Sequence, residues 1–188
     1  MFLMGPFLRR KKELGHFRAE DGYVPEDLLQ FGLDHLEAAL ALGNGNWRHF
    51  HSAGYLAHLA LELLLKSWLL HETRTFPKTH SLQRLRRSIQ KVDQSFEFTK
   101  PHYKLLDYLD GLSELRYPNR KAPTEVGQED LTSVEELANE IWKRLPEALV
   151  EKYDRIPANR NGGGVLMEKP TNLPIDRELL FSGRKTKT

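Results

Sequence analysis

The chain has no cysteine in its 188 residues. That excludes disulfides, zinc–thiolate sites, iron–sulfur clusters and cysteine nucleophiles together. It also fits a reducing cytoplasm, where the chain is expected to reside. Long uncharged apolar runs are missing as well. No stretch approaches the roughly 18 residues of a membrane span, so no membrane contact is expected. The short apolar run at Met1–Leu8 precedes Arg9-Arg10-Lys11-Lys12, the reverse of the charge order in a secretory signal. A large charge imbalance is absent too: the net charge is +2, with 29% charged and 39% hydrophobic residues. For such a chain the local distribution of charge, rather than its sum, bears on nucleic-acid binding. There is no Gly-x-Ser-x-Gly. Gly162-Gly163-Gly164 lacks both the following Lys-Ser/Thr and the preceding strand of a phosphate loop. Histidine also runs out early, with His102 the last in the chain.

What is present is helical periodicity. Residues 1–24 read as an irregular, basic N-terminal arm. Pro25 suits a first helical position, Glu26 and Asp27 suit the positive end of the helix dipole, and Leu29, Leu33, Leu36 and Leu40 recur at helical spacing up to Gly43-Asn44-Gly45. A second helix is predicted over about 46–72. It is apolar almost all round, as befits the buried centre of a bundle. A third helix opens near Thr79 or Ser81, either of which suits a cap. Its stripe is Leu82, Leu85, Ile89 and Val92, with Arg84, Arg86, Arg87 and Lys91 standing off it as a solvated face. A fourth follows Thr99 and carries Leu105, Leu109, Leu112 and Leu115 until Tyr117-Pro118. A fifth opens on the capping-box pattern Ser133–Glu136 and runs through Leu137, Ile141, Leu145 and Leu149, with a kink at Pro146. No strand pattern competes. The expectation is an all-α, up-and-down bundle of about five helices over residues 25–153 around a long buried central helix, followed by a flexible tail over 154–188. Within that tail, Leu179-Leu180-Phe181 is an apolar segment that suits docking on the body or on a partner.

One face of the apolar second helix is polar. At about 100° per residue, His51, Tyr55, His58, Glu62 and Lys66 fall within about −20° to +60° of one another. Such a stripe must be hydrogen-bonded, paired or open to a cleft. By the same arithmetic Arg116 continues the core stripe of the fourth helix and needs an acid. Glu62, the one acid in the central run of the second helix, is the expected partner. His51, His58 and Glu62 have metal-ligand spacing, but no facing helix offers a Glu-x-x-His, so no metal is expected.

Three segments in order, His58–Lys66 with its Leu-Glu-x-x-x-Lys core, Thr79-His80-Ser81-Leu82, and Leu115-Arg116-Tyr117-Pro118, resemble the HEPN domain family (higher eukaryotes and prokaryotes nucleotide-binding). The resemblance spans roughly residues 28–150 and implies a helical bundle, commonly homodimeric. Some members are ribonucleases, often toxins paired with nucleotidyltransferase-type proteins; others bind nucleotides or act as interaction modules. The ribonuclease branch carries an arginine followed four to six residues later by a histidine. Arg116 matches the arginine, and no histidine follows it. Arginine stabilises negative charge but does not readily shuttle a proton. The resemblance therefore implies a non-catalytic module that binds a nucleotide or RNA phosphate, or pairs with a nucleotidyltransferase. Lys66, His80, Arg84 and Arg120 would line its basic cleft, and Glu62, Arg116 and His58 would form its polar centre. No cofactor beyond a nucleotide ligand is implied. Two alternatives stay open. One is a metal-independent endoribonuclease in which His80 or His58 replaces the absent histidine beside Arg116. The other is a purely structural assembly protein. His80 itself reads either as a capping or packing histidine or as a phosphate contact at a helix N-terminus.

Overall fold

The computed structural model describes residues 15–45, 47–112 and 125–154. The all-α expectation holds, with six α-helices among the described residues: α1 (Pro25–Gly45), α2 (Phe50–Thr73), α3 (Leu82–Val92), α4 (Lys100–Leu112), α5 (Gln128–Arg144) and α6 (Glu147–Asp154). Two short strands, β1 (His16–Arg18) and β2 (Thr75–Pro77), pair antiparallel with Phe17 opposite Phe76. These strands are a correction, because residues 16–18 fall in what reads as an irregular arm. Three residues are too few for an alternating pattern to register, and Pro77 argues against a strand unless it lies at an edge.

Helix α2 is the axis. Its C-terminal two-thirds is buried almost continuously from Ala57 to Leu70, apart from the half-buried Leu59 and Leu63. By length and mean hydropathy (24 residues, 1.2) it would pass for a membrane span, yet 78% of its apolar window lies inside the bundle. Helix α1 packs along it, and the two backbones approach closely at Gly32. A Cβ there would stand 3.2 Å from both the Ala60 carbonyl oxygen and the Leu64 nitrogen. Gly54 makes room in the same way for Val126 and Leu112. The Ser67 hydroxyl donates to the Pro25 carbonyl at 2.7 Å, fixing the start of α1 against the C-terminal third of α2. The remaining faces of α2 are covered by Leu82, Leu85 and Ile89 from α3, by Leu106, Leu109 and Leu112 from α4, and by Leu131, Val134, Leu137 and Ile141 from α5.

Three local expectations change. Helix α5 begins at Gln128, five residues before the anticipated Ser133. Its opening device is the Asp130 carboxylate accepting from the Gly127 N–H at 2.8 Å, while Ser133 sits inside the helix and donates to the Glu129 carbonyl. Pro146 does more than kink the chain. Leu145 turns extended (ψ 143°) and α5 stops at Arg144, because a proline disfavours helical backbone in the residue before it. In α4, the fully buried position of the first turn pair is Leu106 rather than Leu105, which is half-buried.

Candidate functional site

The polar face of α2 runs from solvent into the core. His51 is exposed, Tyr55 half-buried, and His58, Glu62 and Lys66 are buried. An isolated carboxylate at Glu62, 3% exposed, would be costly. It is not isolated. Lys66 Nζ donates to Oε1 at 2.5 Å from one turn further along the same helix. The His80 Nδ1 sits 3.1 Å from both carboxylate oxygens. Since the carboxylate only accepts, Nδ1 carries the proton. His58 Nε2 stands 3.4 Å from Oε2, long for a hydrogen bond, while its Nδ1 lies 2.8 Å from the Leu109 carbonyl oxygen. Both ring nitrogens of His58 thus face acceptors. Burial alone would raise the Glu62 pKa. The polar contacts of His58 and Lys66, with the charges of Lys66 and His80, outweigh burial and hold it down at about 2.

His80 is the exposed end of this arrangement. Its side chain is 65% accessible, so with Nδ1 engaged by the buried carboxylate, Nε2 is the nitrogen left for solvent or a ligand. The loop that carries it is itself held. Thr79 Oγ1 accepts from the Ser81 N–H at 3.1 Å, and Ser81, not Thr79, caps α3. The first N–H groups of α3, expected to favour an external anion, are taken by the protein's own carboxylate. Asp110 of α4 accepts from the Leu82 N–H at 2.5 Å, from the Gln83 N–H at 3.4 Å and from the Ser81 hydroxyl at 2.8 Å. A phosphate contact by His80 would therefore rest on its own ring and on neighbouring cations.

Those cations lie where the sequence puts them, except for Arg86 and Lys66. Lys78, Arg84, Arg87 and Lys91 are exposed. Arg86 is a correction: expected on the solvated face, it is 8% exposed. Its Nε donates to Gln83 at 3.0 Å, one of its amino groups donates to Gln90 at 2.6 Å, and the guanidinium lies 4.3 Å over the Tyr103 ring. Lys66, expected to line a basic cleft, is buried and committed to Glu62, with the Phe76 ring 5.4 Å away. Arg116 and Arg120 lie outside the described residues, and with them the anticipated Glu62–Arg116 pair.

Sequence reasoning missed the aromatic cluster beside this site. Phe17, Tyr23 and Phe76 pack with ring centroids 4.9 to 5.4 Å apart, and Lys78 Nζ stands 4.4 Å over Phe17. The signal was present as aromatic residues near Lys78, but its meaning depends on a strand pairing across more than fifty residues. No curated protein matches the chain. The HEPN domain family model matches residues 25–149, which contain α1 to α5 and the first three residues of α6, together with Glu62, Lys66 and His80 on this face. The chain belongs to the HEPN domain family.

Proposed function

We propose that this HEPN domain binds the phosphates of nucleotides or RNA on the face formed by His80 and α3. The observation that carries the reading is the charge of that face. Arg84, Arg87 and Lys91 are all exposed and lie within about 60° of one another around the helix axis. Helix α3 contains no acidic residue, and Lys78 and His80 continue the positive surface at its N-terminal end. Among the described residues no carboxylate pairs with Arg84 or Arg87, and guanidinium groups so placed suit bidentate contacts to phosphate. Lys66 and Glu62 act from behind, holding the His80 ring in place. The test is titration of a short single-stranded RNA and of ATP into wild type and Arg84→Ala/Arg87→Ala. The expected result is weaker binding by the double variant and a log–log salt dependence shallower by about 1.4 for RNA. Equal binding by both proteins removes the reading.

A second reading has its own observation, the Glu62–His80 contact. A buried carboxylate that fixes one imidazole nitrogen and leaves the other exposed is the usual arrangement of an oriented general base. On RNA, His80 Nε2 would take the 2′-hydroxyl proton as that oxygen attacks the adjacent phosphorus. The P–O5′ bond would break and water would protonate the departing 5′-oxygen, leaving a 2′,3′-cyclic phosphate. Cleavage by wild type and none by His80→Ala, with RNA binding retained, would favour this reading. Binding without cleavage by wild type leaves the first.

A further inference from the structure

A second concave surface lies at the other end of α3. It is a cleft of about 530 Å³ where three helices stop. Glu72 stands in the last turn of α2, Lys91 in the last turn of α3, and Arg144 is the last residue of α5. Local sequence creates the opening. Pro146 ends α5, and the chain leaves α3 at Asp93 with extended backbone (ψ 97°). Asp93 is steadied there, its Oδ1 accepting from the Ser95 N–H at 2.9 Å and from the Ser95 hydroxyl at 2.6 Å. Trp68, only 2% exposed, supplies apolar wall and packs with its ring centroid 5.2 Å from that of Phe96. Val92, 38% exposed, adds to that wall. Along the α3 axis the cleft lies about 15 Å from the end that carries His80, so it is separate from the face proposed above.

Glu72, Lys91 and Arg144 are exposed, and among the described residues no salt bridge engages any of the three. Opposite charges share one cleft, are carried by three separate helices, and do not meet. We propose that this cleft is a ligand site for a zwitterion of short-peptide size. Its carboxylate would lie on Lys91 and Arg144, its ammonium on Glu72, and its apolar side chains against Trp68 and Val92. This site is independent of the phosphate-binding reading and uses neither Arg84, Arg87 nor His80. Charge selects the ligand. With Asp93 the cleft carries two acids and two bases, so a polyphosphate meets repulsion along with attraction, whereas a zwitterion matches both signs. Arg144 presents a planar fork suited to a carboxylate. The C-terminal ends of three helices add partial negative charge that suits an ammonium. Volume selects the size, since clefts of roughly 300–1,000 Å³ suit organic ligands and a single small ion would fill little of this one.

The experiment titrates leucyl-leucine, its N-acetylated form and its C-terminal amide into the full chain by calorimetry, with and without ATP as competitor. Each titration is repeated with Arg144→Ala, Glu72→Gln and Arg84→Ala/Arg87→Ala. The expected result is that leucyl-leucine binds wild type and each blocked form binds about tenfold or more weakly, having lost one charge-assisted contact. Arg144→Ala weakens leucyl-leucine by about tenfold and leaves the amide, which has no carboxylate, unchanged. Glu72→Gln weakens leucyl-leucine similarly and leaves the acetylated form unchanged. Such paired losses mark direct contacts, and a change in stability alone would not produce them. The Arg84→Ala/Arg87→Ala variant binds leucyl-leucine as wild type does. Wild type that binds no leucyl-leucine overturns the proposal. Equal binding of all three forms overturns it too, since the cleft would then read apolar surface only. So does leucyl-leucine binding that neither Arg144→Ala nor Glu72→Gln weakens, which would put the dipeptide elsewhere. Displacement of leucyl-leucine by ATP in wild type, lost in Arg144→Ala, would make the cleft a phosphate site and overturn the zwitterion assignment.

Discussion

Glu62 concentrates the consequences at the scale of single residues. Its folded-state pKa of about 2 lies below the ordinary 4.5. The unfolded chain therefore binds the more protons between those values. The stabilisation from its ionised form is complete above about pH 4.5 and is lost as the pH falls through about 2. Its size is on the order of 3 kcal/mol. Urea denaturation between pH 6 and pH 2 is expected to show this acid loss in wild type and a much smaller one in Glu62→Gln. The variant should also be weaker at neutral pH by about 3 kcal/mol, since it leaves Lys66 buried beside a neutral amide. An identical acid limb in both proteins would contradict the assignment. The buried polar stripe was readable from the sequence because helical phase alone places His58, Glu62 and Lys66 on one face. The His80 contact to Glu62 was not, because His80 lies in a non-helical connection where no periodicity applies; the Arg116 pairing that phase argued for lies outside the described residues. Arg86 was misread for a related reason. A charge off the apolar stripe looks solvated until a ring such as Tyr103 from another helix covers it.

Helix ends set the scale above. The α3 N-terminus depends on a carboxylate from α4, so Asp110 joins two elements as well as capping one. Asp110→Ala is expected to cost about 1–2 kcal/mol and to lower the melting temperature by roughly 2–8 °C, with the loss seen by thermal unfolding. Asp110→Asn should recover part of it, because an amide oxygen still accepts. If the site works as proposed, RNA affinity falls in the same variants, since His80 stands at the end of the loop that Asp110 restrains. At the far end of α2, Arg74 takes a left-handed conformation (φ 61°) to turn the chain into β2. That conformation disfavours side-chain-bearing residues and gives no signal in a pattern of apolar positions. The first four helices and most of their buried positions among the described residues were legible because periodicity reports them. The start of α5 and the break at Pro146 depended on cap and backbone geometry, which a capping-box pattern at Ser133 imitated in the wrong place.

At the scale of the whole molecule, the family match and the folded unit do not have the same edges. The matched segment begins at residue 25 and stops at 149, but residues on both sides hold it. Before it, Phe17 and Tyr23 cover Phe76. After it, Tyr153 packs edge-on to Trp142 with ring centroids 6.1 Å apart, and Lys152 reaches Glu26 at 3.7 Å. A fragment of residues 25–149 is expected to melt several degrees below one of residues 15–154, measured by circular dichroism. Equal melting would show these flanks to be passengers. The β1–β2 pairing has a practical consequence for handling the protein. Trimming a recombinant fragment to the family boundary removes the partner of β2 and leaves Thr75–Pro77 with unpaired backbone groups beside an uncovered phenylalanine. Bare strand edges of that kind recruit other chains. A trimmed fragment that clumps, or that shows RNA binding only as aggregates, would then report on where the cut was made and not on the domain.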